Sequence, residues 1–212
     1  MSVVKHPSQR VAIIIDTQNL YHSAKNLHKA RVNFGAVVEQ AVAGRQLIRA
    51  VSYVVNTESG EENAFFEALE KLGIEIKTKD LQIFYGGAKK ADWDVGMAVD
   101  AIKIAPKVDA VVFATGDGDF IPAVEYIKSL GCQVEVITFG RSASSALRAA
   151  CDDFIDMDAD PNTFLIRRRR TPTKSSGTTS TRKTTKRATK KTTRKSSSSA
   201  TIKTVGSDTD FL

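Results

Sequence analysis

The sequence predicts an α/β fold with a mainly parallel central sheet and helices on both of its faces. Three observations predict it. Residues 11–15 (VAIII) and 108–114 (VDAVVFA) contain near-continuous apolar, β-branched runs, as expected for strands buried on both faces. Segments with helical spacing of apolar residues separate the strand-like segments along the chain. Strands that alternate with helices in this way form a parallel sheet through right-handed crossovers.

The elements run in this order. The first strand, residues 11–15, stops at Asp16, after which Leu20, Ala24, Leu27 and Ala30 recur at helical spacing. Residues 34–43 read as a short helix with Val37, Val38 and Ala41 on its apolar side, and the Val-rich residues 47–55 read as strand two. Residues 61–72 form an amphipathic helix with Phe65, Leu69 and Leu72 facing inward, ended by Gly73. Residues 74–78 are a strand, residues 81–85 a further short one, and the Gly-Gly-Ala-Lys-Lys run at 86–90 a loop. A helix over 95–105 is stopped by Pro106, and residues 108–114 give the second buried strand. A helix over 121–130 ends at Gly131; then come a strand over 133–139, a helix over 143–150 and a last short strand over 154–157.

Charge divides the chain. Residues 167–212 carry 14 Lys/Arg and 2 Asp/Glu, which leaves 17 basic and 22 acidic residues before them. An acidic body of net −5 therefore bears a tail of net +12, and the overall +7 says nothing about the domain's own surface. The organisation expected is an extension at 1–9, one domain over 10–160, and a disordered Ser/Thr/Lys/Arg-rich tail at 161–212. A domain of about 150 residues buries roughly 70% of its unfolded surface and needs no disulfides.

Composition also excludes classes. Cys132 and Cys151 form no CxxC, so a disulfide scaffold or a zinc site is not expected, and two buried thiols in a reducing compartment are. His6, His22 and His28 make no ligand-like cluster with carboxylates. Residues 1–10 lack the apolar stretch of a signal peptide, and the apolar runs fall far short of the ~20 residues of a membrane span. A soluble, cytoplasmic protein with no membrane partner is expected.

In parallel sheets ligands bind beyond the carboxyl ends of the strands. Asp16 stands directly after one buried strand, and Thr115-Gly116-Asp117-Gly118-Asp119 directly after the other. Helix capping explains an Asp at a strand-to-helix turn, and Asp119 before Phe120-Ile121-Pro122 fits that role as well as Asp16 does. Capping does not explain a second Asp two residues away. Asp92 and Asp94 open the next helix, and Asp100 lies on another side of it, either as a supporting group or as a solvated residue. The run Asp152, Asp153, Asp156, Asp158 and Asp160 reads as a solvated face. If Asp16, Asp94, Asp117 and Asp119 converge, like charges ~4 Å apart repel by ~4 kcal/mol at an effective dielectric near 20. A divalent cation removes that conflict. Oxygen ligands without Cys or His favour Mg²⁺ or Mn²⁺ over zinc, and such an ion activates water for phosphoryl chemistry.

Ile15-Asp16-Thr17-Gln18-Asn19-Leu20, Lys90-Ala91-Asp92-Trp93-Asp94 with Asp100, and Thr115-Gly116-Asp117-Gly118-Asp119-Phe120 together resemble the NYN domain of the PIN-like nuclease superfamily, in its LabA-like bacterial branch. Ser144 and Leu147, followed by Cys151-Asp152 and Phe154-Ile155, continue the likeness. The resemblance implies a three-layer α/β/α sandwich and a metal-dependent ribonuclease-type site. It puts Asp16, Asp94, Asp117 and Asp119 on the catalytic, metal-holding positions, and Asn19, Asp100, Thr115 and Ser144 on accessory ones. Lys90 begins a run one residue longer than the family's usual Lys-Gly-hydrophobic-Asp, and is expected to contact nucleic acid.

After Arg167, Arg168, Arg169 and Arg170, residues 171–204 contain 19 Ser or Thr in 34 and almost nothing apolar, so burial cannot offset chain entropy there. Dibasic pairs recur every four residues: Arg182-Lys183, Lys186-Arg187, Lys190-Lys191 and Arg194-Lys195. Such spacing suits a polyphosphate, whose counterions are released on binding. The tail also offers a contact for a protein partner or a second copy of the chain. The reading is a Mg²⁺- or Mn²⁺-dependent ribonuclease whose tail gives affinity without sequence readout. The alternatives are a non-catalytic nucleic-acid-binding or regulatory module and another phosphoryl-transfer enzyme. Asp16-Thr17-Gln18 lacks the second Asp of DxDx[T/V] phosphatases, and a Toprim-type site would want Glu after strand one.

Overall fold

The computed structural model describes residues 3–56, 63–80, 82–83, 89–90 and 92–166, with the side chains of 56, 80, 82, 83, 89 and 90 outside the description. In chain order the elements are β1 (Arg10–Asp16), α1 (Thr17–His28), β2 (Arg31–Val32), α2 (Phe34–Val42), β3 (Gln46–Asn56), α3 (Asn63–Lys71), β4 (Glu75–Asp80), β5 (Gln82–Ile83) and β6 (Lys89–Lys90). They continue with α4 (Asp94–Ile104), β7 (Ala110–Ala114), α5 (Ile121–Ser129), β8 (Gln133–Thr138), α6 (Ser145–Ala150), β9 (Asp153–Asp156), α7 (Pro161–Phe164) and β10 (Leu165–Ile166).

Six strands form one parallel sheet in the order β4-β3-β1-β7-β8-β9. The continuous apolar runs form its centre: β7 is buried along its whole length, and Val11 to Ile15 of β1 are buried too. Alternate residues of these strands feed two cores. Ile13, Ile15 and Val112 pack with Leu20, Val37 and Leu69 on one face, and Ile14, Val111 and Phe113 with Met97, Val124 and Leu147 on the other. Helices therefore cover both faces, giving the three layers the sequence implies. From β1 the strand order runs to β3 and β4 on one side and to β7, β8 and β9 on the other. Order reverses between β1 and β7, which is where ligands bind in such sheets.

Gly73 and Gly131 end their helices with φ of +75° and +81°, the left-handed conformation glycine adopts without strain. Three features differ from the sequence reading. Lys89–Lys90, read as loop, pair antiparallel with Gln82–Ile83; residues 81 and 84–88 lie outside the described residues. Arg31–Val32 pair antiparallel with Leu165–Ile166, a two-residue ladder too short to leave a period-2 signal. Ordered structure also passes residue 160: α7 and β10 come next, Phe164 and Leu165 are buried, and Asn33 N–H donates to Phe164 O at 2.8 Å. Residues 161–166 are therefore structured rather than part of a disordered tail; residues 167–212, with all the basic pairs, lie outside the described residues.

The acidic run read as solvated is engaged instead. Asp152 accepts from Val134 N–H and pairs with Lys128. Asp156 accepts from the N–H groups of Gly140 and Asp158, and Asp160 caps α7 through Thr163 N–H. Asp158 accepts from Arg141 and meets His28 Nε2 at 2.7 Å. The contacts of Asp152 with Val134 and Lys128, of Asp156 with Gly140, and of Asp158 with Arg141 and His28 clasp β9 and the turn after it to the rest of the domain, and they place His28 with a carboxylate after all. Both cysteines are free thiols; Cys132 is buried as expected and Cys151 is only partly so. Among the described residues no helix is long and apolar enough to cross a membrane.

Candidate active site

The carboxyl ends of β1 and β7 bring the predicted loop residues together. Asp16 ends β1 and caps α1, its Oδ1 accepting from Asn19 N–H at 3.0 Å. Its Oδ2 accepts from the Thr115 hydroxyl at 3.1 Å, a bridge from one buried strand end to the other. Thr115 is fully buried, and the same hydroxyl oxygen accepts from Asp117 N–H at 3.2 Å. Asn19 Oδ1 accepts from Gly116 N–H at 3.0 Å, and Gly116 O accepts from Ser144 N–H at 2.9 Å. Asn19 and Thr115 therefore set the path of the Thr115–Asp119 loop, and Ser144, which caps α6 through Leu147 N–H, holds its other side.

Capping falls differently from the sequence reading. Asp117, not Asp119, is the cap: its Oδ1 accepts from Asp119 N–H at 3.0 Å and starts a 3-10 turn, Gly118–Phe120, ahead of α5. Asp119 is exposed and is not a cap; it lies in the first turn of that 3-10 segment, where the exposed N–H groups favour a negative charge. Asp94 is the first residue of α4 rather than its cap, which is Trp93. One carboxylate oxygen from each of Asp94, Asp117 and Asp119 lies within 4.8 Å of the others. Asp16 stands beside this trio rather than in it. Burial pushes the Asp16 carboxyl above its ordinary range, the Asn19 and Thr115 hydrogen bonds draw it down, and the nearby Asp94 and Asp117 charges push it up again.

Three carboxylate oxygens this close, two of them half-buried, repel unless a cation lies between them. They are hard donors with no sulfur or imidazole among them, so the set fits a divalent cation of the Mg²⁺ or Mn²⁺ kind.

Asp100 is not part of the cluster. Its Oδ2 accepts from Tyr53 Oη at 2.7 Å and from Lys77 Nζ at 2.6 Å, over the β3–β4 side of the sheet. Burial raises its carboxyl, and the Lys77 and Tyr53 hydrogen bonds outweigh that and hold it below the ordinary range. The side chain of Lys90 lies outside the described residues. Sequence reasoning missed Trp93, whose Nε1 donates to Val54 O at 2.9 Å and locks the start of α4 onto the end of β3. Its position directly before Asp94 was the available signal.

An apolar cavity of about 400 Å³ opens on the other side of α1, lined by Gln18, Tyr21, Val55, Phe65, Leu72 and Ile166 among others. None of the four aspartates lines it, so it is not the seat of the acidic chemistry.

The sequence model of the NYN domain matches residues 10–158. This chain belongs to the NYN domain family. The matched stretch runs from the first residue of β1 to just past β9, and so takes in the whole parallel sheet and all four aspartates. The NYN chain is 26% identical over 172 residues to the low amplitude and bright protein LabA of Synechococcus elongatus, covering 76% of this chain and 90% of LabA. It is 27% identical over 172 residues to an uncharacterized protein of Methanocaldococcus jannaschii, covering 78% of this chain and 61% of that one. A crystal structure of a protein of unknown function from Vibrio parahaemolyticus matches with a TM-score of 0.70 and 29% identity, over 77% of this chain and 100% of that one. The NYN fold and an aspartate cluster of the type PIN-like nucleases use with divalent metals are thus present together.

Proposed function

We propose that the protein is a divalent-metal-dependent ribonuclease, acting in the cytoplasm, whose basic tail supplies sequence-independent affinity for RNA. The observation that carries this reading is the convergence of Asp94, Asp117 and Asp119 within 4.8 Å at the point where strand order reverses, with Asp16 beside them. Asp94, Asp117 and Asp119 would hold Mg²⁺ or Mn²⁺. Such an ion polarises a phosphoryl oxygen and lowers the pKa of bound water toward neutrality.

The chain's own residues do the positioning. Thr115 and the Asn19 backbone N–H fix both oxygens of Asp16 on the floor of the cleft. Asn19 and Ser144 hold Gly116 through its N–H and its carbonyl, and so anchor the loop that carries Asp117 and Asp119. Asp119, the exposed member of the three, would meet the incoming phosphodiester. The tail, with 14 basic residues in its length, would contact phosphates along the strand and read no sequence.

Incubation with end-labelled single-stranded RNA and the matching DNA, each in Mg²⁺, Mn²⁺ or EDTA, tests the reading. RNA should be cut, and only with metal. Binding of RNA without cleavage in any metal would make the protein a non-catalytic nucleic-acid-binding NYN module. Preferential cutting of DNA would change the substrate class.

A further inference from the structure

Lys79 is the last lysine of β4, the strand at the edge of the sheet. It pairs in register with Val55, so it stands at the same carboxyl edge as Asp16, which pairs with Tyr53. Its ammonium donates to Asp92 O at 3.0 Å and lies 5.7 Å from the centroid of the Trp93 ring. Both contacts draw an exposed, flexible side chain toward the two residues that immediately precede Asp94.

Trp93 is itself rigid. Val54 O holds its Nε1, Tyr53 meets it edge-on at 5.3 Å between centroids, and a Cβ at Gly96 would stand 2.9 Å from Trp93 Cε3. Glycine at 96 thus lets the indole approach α4 more closely than a side chain there would allow.

The neighbouring cations are neutralised. Lys77 pairs with Asp100 and Arg49 with Glu75. Among the described residues no carboxylate lies within ion-pair distance of Lys79. A lysine on an edge strand also discourages edge-to-edge pairing. That role needs only charge in solvent, and does not require tethering by a carbonyl and an aromatic face beside an acidic cluster.

Single-stranded nucleic-acid sites set cationic side chains, which track the backbone phosphates, beside aromatic rings, and Lys79 with Trp93 brings both kinds of group to this edge. We propose that Lys79, seated on Trp93, is a phosphate subsite that receives the RNA backbone next to the phosphodiester at Asp94, Asp117 and Asp119. The proposal rests on the nuclease reading of that cluster and adds the direction in which the strand leaves it, along β4.

The test uses the full chain and an uncleavable 2′-O-methyl single strand in which one phosphate at a time is replaced by a neutral methylphosphonate. Lys79→Ala should weaken binding roughly five- to tenfold and make the slope of log Kd against log salt shallower by about 0.7, one single-strand phosphate contact. Lys79→Arg should stay near wild type. Lys107→Ala removes the same charge at the opposite edge of the sheet and should change affinity less than twofold. One methylphosphonate position should weaken wild type and leave Lys79→Ala unaffected. Identical position profiles for wild type and Lys79→Ala, with wild type binding and cutting RNA, would overturn the subsite and leave the nuclease reading standing. Failure of wild type both to bind the strand and to cut unmodified RNA would remove both.

Discussion

Replacing Asp117 by Asn should make the protein more stable without metal and deaf to metal. The ligand oxygens of Asp94, Asp117 and Asp119 lie within 4.8 Å of one another. Two unit charges at that separation repel by about 1 kcal/mol in water and by about 3–4 kcal/mol at an effective dielectric near 20. Asp119 is exposed and Asp94 half-buried, so the two pairs that Asp117 makes fall toward the lower figure, and losing both should stabilise the fold by about 1–2 kcal/mol. The amide keeps Oδ1, which accepts from Asp119 N–H, so the 3-10 turn retains its cap. At this chain length each kcal/mol is worth about 2–4 °C in Tm. Asp117→Asn should therefore melt a few degrees above wild type in EDTA. Mn²⁺ at about 100 times its Kd adds about 2.7 kcal/mol to wild type, roughly 5–10 °C, and should add little to the variant. Thermal unfolding followed by circular dichroism in EDTA and in a Mn²⁺ series reads both effects. A metal-free loss of several degrees would mean that the carboxylate of Asp117 serves the turn and not a cation. Equal gains with Mn²⁺ in both proteins would put the bound metal elsewhere.

Three further outcomes are expected from the same geometry. A methyl at Gly116 would stand 3.1 Å from Ala143 Cα, 3.2 Å from Ser142 O and 3.3 Å from Thr138 Oγ1, two of them backbone atoms, so Gly116→Ala should cost about 1–3 kcal/mol and displace Asp117. Cleavage falling more than tenfold, with melting lowered, is the expected result; unchanged rates would show slack in the loop. Asp158 is held below the ordinary carboxylate range because the Arg141 and His28 hydrogen bonds outweigh its burial. Its stabilisation is present above about pH 4 and is lost as pH falls through that value toward the lower folded pKa. Urea midpoints of wild type and Asp158→Asn should differ at pH 6 and converge toward pH 3; a constant gap would refute the ionic origin. Deleting residues 167–212 removes net +12 and leaves every described element in place. If the tail makes 6–10 phosphate contacts, full-length RNA affinity should fall roughly 10³–10⁵-fold between 50 and 200 mM salt, and the shortened protein should show a much shallower slope. Equal slopes would show that the tail does not touch RNA.

Much of the fold could be read because its central strands are buried on both faces. VAIII and AVVFA have no polar residue to confuse the period, and a parallel sheet places the turn after each of them at the ligand-binding edge. The two-residue ladder of β2 with β10 could not be read, since two residues carry no periodicity and their partners are 130 positions apart or more. In the site, Asp16, Asp94, Asp117 and Asp119 were visible as acidic residues at strand and helix ends. Which of Asp117 and Asp119 caps was not, because a 3-10 turn intervenes before α5 and shifts the cap back by two residues. Asp100 shows the limit most plainly. Its partners, Tyr53 and Lys77, come from neighbouring strands of the sheet, and helix phase says only that it points away from Asp94. The clasps of Asp152, Asp156 and Asp158 are equally non-local, and an acidic run without its cationic and backbone partners looks like a solvated face.

Hydrolysis of RNA by the aspartate cluster with a bound divalent metal is the central claim. Single-turnover cleavage of a 5′-labelled single-stranded RNA by wild type and Asp117→Asn, each in Mg²⁺, Mn²⁺ and EDTA, tests it most directly. Wild type should cut in Mg²⁺ or Mn²⁺ and not in EDTA, and Asp117→Asn should lose at least two orders of magnitude in rate while binding the same RNA, as expected when a residue acts in the chemical step. Cleavage by wild type in EDTA, or by Asp117→Asn at the wild-type rate, would contradict it.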